Sequence, residues 1–81
     1  MGVHAKYDLT KYGFQSRTPA TYYTCDKFLV SVFDGYETYE HWYDTWKDAA
    51  NYYQRKLKEL EEFPHMEMNQ ISITGLVFNW F

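Results

Sequence analysis

The stretch Thr38–Phe63, TYEHWYDTWKDAANYYQRKLKELEEF, decides how this chain folds. It contains no Gly or Pro and ends against Pro64, so nothing inside it interrupts a regular backbone. Placed at about 100° per residue, Tyr39, Trp42, Tyr43, Trp46, Ala49, Ala50, Tyr53, Leu57 and Leu60 fall within an arc of roughly 120°. The reading is one amphipathic helix over residues 38–63, with Thr38 as its N-cap and that arc as its buried face. Glu40, Asp44, Asp48, Asn51, Arg55, Lys58 and Glu62 occupy the opposite side. Tyr52 falls outside the buried arc, a large ring left to the outer surface.

Outward from that helix, the flanking segments read as strands. Val3, Ala5, Tyr7 and Leu9 alternate with His4, Lys6, Asp8 and Thr10, the period-2 pattern of a half-buried strand over about residues 3–9. Residues 10–20, with Gly13, Ser16, Arg17, Thr18 and Pro19, read as a loop that its own Tyr12 and Phe14 could close over. Residues 21–33 read as a central strand, with a break near Asp26-Lys27 as the alternative. Phe28, Val30 and Val32 share one face of it; Lys27, Leu29, Ser31 and Phe33 share the other. It stops at Asp34-Gly35.

Residues 66–80 read as the last strand. Ile71 and Ile73 sit on one parity and Leu76, Phe78 and Trp80 on the other, so a β-bulge at Gly75 would return them all to one face, with a turn at Thr74-Gly75 that splits the segment into a hairpin as the alternative. The order β-β-α-β gives a small α+β domain over residues 1–81, a sheet of about three strands packed by one long helix. One helix covers one face of such a sheet. The other face must be polar or meet something.

Composition narrows the function classes. In 81 residues one domain is expected, and nine Tyr, six Phe and three Trp must supply much of its buried area. Eight Lys/Arg against eleven Asp/Glu give a net charge of −3, and the basic footprint of a nucleic-acid binder is missing. The single cysteine, Cys25, excludes an intrachain disulfide framework. With no signal-peptide pattern and no long apolar run, the expected setting is soluble and cytoplasmic, without membrane contact.

No catalytic motif is present, and His4, His41 and His65 are scattered. Cys25 reads as a small strand residue rather than a nucleophile, and His41 among Glu37, Glu40 and Asp44 as a solvated group rather than a metal ligand. No enzyme activity, cofactor or metal is expected. The candidate site is instead the acidic run Asp34, Glu37, Glu40, Asp44 and Asp48, with Tyr36 and Tyr52 as aromatic anchors. Charge and rings together suit a basic partner surface, for example one that otherwise holds nucleic acid.

The expected function is a non-catalytic protein-binding module that occupies a surface of a larger partner. Its finer form is a phage or mobile-element inhibitor of a host enzyme or defence complex, an anti-CRISPR type of protein, acting in the host cytoplasm. The alternative is a self-assembling homodimer that uses the uncovered sheet face or the C-terminal strand, where Val77 and Phe81 would look outward.

Overall fold

A computed structural model describes residues 2–33, 35–62 and 70–79. Asp34, His65, the start of the expected last strand before residue 70, Trp80 and Phe81 lie outside the described residues, as does the junction at Phe63-Pro64. The elements run β1 (Gly2–Asp8), α1 (Thr10–Phe14), a 3-10 turn (Tyr22–Thr24), β2 (Lys27–Phe33), β3 (Thr38–Tyr43), α2 (Trp46–Glu62) and β4 (Ile71–Asn79). The strands form one four-stranded sheet in the order β1-β4-β2-β3, antiparallel throughout. The α+β class with one long helix on a sheet holds, and the strand count is four rather than three.

The extra strand comes out of the expected helix. Residues 38–43 pair with β2 in unbroken register from Phe28 opposite Tyr43 to Phe33 opposite Thr38, and helix α2 begins at Trp46. Two physical causes favour the strand. The segment TYEHWY is β-branched and aromatic, the composition that suits a pleated surface. Just before it, Gly35 takes a φ of 99°, the left-handed backbone that lets the chain reverse after β2. Thr38 is therefore a strand residue, and Thr45 caps the helix: its Oγ1 accepts the Asp48 N–H at 3.2 Å.

The true helix keeps the inner part of the expected arc. Trp46, Ala49, Tyr53 and Leu57 are buried against Phe28, Val30, Val32, Ile71 and Ile73 on one face of the sheet. Ala49 has no exposed surface, which brings the helix backbone close to the strands. Phe28 and Trp46 meet edge to face, with ring centroids 5.8 Å apart. Tyr39 and Trp42, placed in the arc by helical spacing, are instead exposed on β3.

Gly75 is neither a bulge nor a turn. Tyr7 and Phe28 pair with it from the two sides in regular register, and the sheet's irregularity lies in β1, between Val3 and Ala5. Ile71, Ile73 and Gly75 face the helix, so Leu76 and Phe78 face away. The parity change that suggested a bulge is that of a central strand, apolar on both faces.

The segment between β1 and β2 is also more ordered than a loop. Its first part forms α1, whose Gly13 backs onto Tyr53 and Ile73. Gln54 donates from Nε2 to the Gly13 carbonyl, tying α1 to α2. The Asp26 N–H donates to the Leu76 carbonyl at 2.7 Å, and Asp26 Oδ2 accepts the Phe78 N–H at 2.8 Å, which fastens the entrance of β2 to β4.

Candidate functional site

With α2 on one face, the register fixes what the other face presents. Lys6, Leu76 and Lys27 form one row across the sheet, and Asp8, Thr74, Leu29 and Trp42 form the next. Ser72, Ser31 and Glu40 form a third. A groove runs over this face, with Leu29 and Leu76 at its floor, Val3 and Lys6 on the β1 side, and Glu40 and Trp42 on the β3 side. Leu76 is only 3% exposed, whereas Trp42 is 53% exposed and Val3 45%. A large ring thus stands open beside a sunken apolar floor.

The expected site residues gather around β3, though not as a helical face. Tyr36 lies in the β2–β3 connection and is 93% exposed. Glu37 follows it, and its Oε2 accepts the Tyr39 hydroxyl at 3.1 Å. Glu40 stands on the outer sheet face one alternation from Trp42. Asp44, just past β3, is ion-paired with Lys27, which lies on the same face. Asp48 belongs to the first turn of α2, where a carboxylate suits the helix dipole. Asp34 lies outside the described residues.

Tyr52 corrects the sequence reading most clearly. Expected on an outer face, it packs against the core under β3, its ring centroid 4.6 Å from His41 and 5.8 Å from Tyr43. The Arg55 guanidinium and the Lys56 ammonium each lie 5.6 Å from the same ring, on the helix side of the sheet. The exposed ring is instead that of Trp42, which helical spacing had assigned to the core. The alternation Tyr39, His41, Tyr43 against Glu40, Trp42, Asp44 is the signal that separates the two faces.

Burial pushes the Cys25 thiol above its ordinary pKa, the reverse of activation, and its Sγ–H donates to the Thr21 carbonyl at 3.4 Å. Among the described residues, no group of three His, Cys, Asp or Glu side chains is placed to hold a metal ion. No described helix is long and apolar enough to cross a membrane.

Comparison with protein-family models, with curated proteins and with solved structures gave no match.

Proposed function

We propose that this chain is a non-catalytic protein-binding domain that occupies a surface of a larger partner, gripping it with β3 and the adjoining outer sheet face. The observation that carries the reading is Trp42, half exposed on the edge strand between Glu40 and Asp44, next to the groove floored by Leu29 and Leu76. An exposed Trp beside an apolar depression is the arrangement in which a few residues supply most of the binding energy. Glu37 and Glu40 add negative charge along the same edge, while the Asp44 charge is offset by Lys27. A basic surface on the partner, such as one that holds nucleic acid, fits this side. Inhibition of a host enzyme or defence complex, by a phage or mobile-element product, is the finer form of the proposal.

The test is affinity capture from the native host with matched variants. A partner that the wild-type chain retains, and that Trp42→Glu and Glu40→Lys lose, supports the reading. Tyr23→Glu, on a ring 76% exposed in the 3-10 turn, should leave capture intact. Equal capture by all four proteins overturns it.

Self-association is the second reading, favoured by the apolar floor of the outer groove. Its route changes: β4 is central and hydrogen-bonded on both sides, so this strand offers no edge to a second copy.

A further inference from the structure

The chain leaves β1 at Asp8 and enters α1 at Thr10. Between this corner, α2 and the start of β4 lies a cleft of about 510 Å³, lined by Asp8, Thr10, Lys11, Phe14, Tyr53 and Ile71. Its volume is that of a small-molecule site, about 300–1,000 Å³. Tyr53 is 1% exposed, and its hydroxyl has no hydrogen-bond partner among the described residues. Among those residues no side-chain polar atom is both fully buried and unpartnered, so the hydroxyl is a part of Tyr53 that reaches the surface, and it does so in the cleft. A buried Tyr hydroxyl usually finds a partner within the protein. Burial first, and the Asp8 charge second, push this phenol above its ordinary pKa, which keeps it an O–H donor at neutral pH.

Two opposite charges share the lining. Asp8 Oδ1 accepts both the hydroxyl and the N–H of Thr10, while Oδ2 accepts no hydrogen bond among the described residues. The Lys11 ammonium has no ion pair among them, with Asp8 or any other carboxylate. A ligand with positive charge alone would meet Lys11, and one with negative charge alone would meet Asp8. A ligand carrying both meets an opposite charge at each. Phe14, 57% exposed, and Ile71 add an open ring and an apolar wall.

We infer that this cleft binds a free aromatic α-amino acid. Its ammonium would pair with Asp8 Oδ2, and its carboxylate would accept the Tyr53 O–H and pair with Lys11. Its ring would pack on Phe14 against Ile71. The Asp8 charge is felt at the Tyr53 hydroxyl, so the two groups are near enough for an ammonium and a carboxylate on one carbon to reach both. The cleft shares no residue with the groove of the outer face, and the inference stands apart from the protein-binding reading.

The probe is L-phenylalanine, titrated into the full chain by calorimetry and by amide NMR shifts. Two half-ligands accompany it: 2-phenylethylamine, which lacks the carboxylate, and 3-phenylpropanoate, which lacks the ammonium. L-Phenylalanine should bind with a dissociation constant of about 1 mM or lower and move the amides of residues 10–14 and 71–72, and each half-ligand should bind at least about tenfold more weakly. Tyr53→Phe keeps the ring in the core and removes only the hydroxyl. It should weaken binding by about fivefold or more without lowering the melting temperature, and exposed Lys11→Gln should do the same. Tyr23→Glu should leave binding unchanged. No saturable binding of L-phenylalanine up to about 10 mM overturns the inference. So does a half-ligand that binds as tightly as the amino acid, unchanged affinity in both Tyr53→Phe and Lys11→Gln, or shifts confined to residues outside the cleft.

Discussion

The sulfur of Cys25 lies 2.7 Å from the point where a β-carbon on Gly75 would stand, and Leu9 Cδ1 lies 2.9 Å from it. Gly75 is thus the place where β4 lets the preceding segment close down onto the sheet. Its backbone needs no unusual angle; what it lacks is room. Gly75→Ala should destabilise the domain by about 1–3 kcal/mol, the usual cost of overpacking. Adding Cys25→Ala should return part of that loss, because the nearer obstacle is removed while Leu9 remains. Urea unfolding of the two single variants and the double gives the coupling. Strictly additive costs would mean that Cys25 does not set the close approach.

The three tryptophans were equivalent in helical spacing only as far as Trp42 and Trp46 go, and the fold separates those two. Trp46 is 7% exposed and packed on Phe28, whereas Trp42 is 53% exposed on the far face of the sheet. Trp46→Ala should cost about 3–5 kcal/mol. Trp42→Ala should cost at most about 1 kcal/mol, the span of strand propensities. Thermal or urea melts of both variants decide it; equal losses would put Trp42 in the core.

What the sequence disclosed and what it concealed have identifiable causes. The inner helical face from Trp46 to Leu57 was legible because the 3.6-residue period runs through it without competition. The segment 38–43 was not, because Tyr39, Trp42 and Tyr43 fit both a helical arc and a strand, and six residues are too few for the period to choose. What chose was non-local: pairing with β2 across the turn at Gly35. The same non-local cause hid the central position of β4, whose two apolar parities looked like a bulge at Gly75. Of the candidate site, the acids near β3 were legible as charge. Their grouping with Trp42, and the loss of Tyr52 to the core side, followed only from the strand assignment.

Moving the helix start from residue 38 to residue 46 can be checked with two threonines. Thr45 Oγ1 accepts the Asp48 N–H, a first-turn donor that has no partner within the helix. Thr45→Ala should therefore cost about 1 kcal/mol. Thr38, exposed at the start of β3, should lose no more than about 0.5 kcal/mol when changed to Ala. Chemical denaturation would show the reverse order if the helix began at Thr38.

The end of β1 carries a hydrogen-bonded relay with a defined pH signature. Asp8 Oδ1 accepts the Thr10 hydroxyl at 2.7 Å and the Thr10 N–H at 3.1 Å, while Thr10 Oγ1 accepts the Ile73 N–H at 3.2 Å. The Thr10 hydroxyl first, and its N–H second, hold the Asp8 carboxyl below its ordinary pKa. A carboxylate lowered in the folded state adds stability above its unfolded value, about 3.9, and loses it as the pH falls through the folded value. The melting temperature of the wild type should accordingly drop below about pH 4 more steeply than that of Asp8→Asn, which has no charge to titrate there. Thr10→Val should flatten the same acid limb and lower stability at neutral pH as well, since the Ile73 N–H loses its hydroxyl partner. Parallel acid limbs in all three proteins would show that the hydrogen bonds to Asp8 add no stability that depends on its charge.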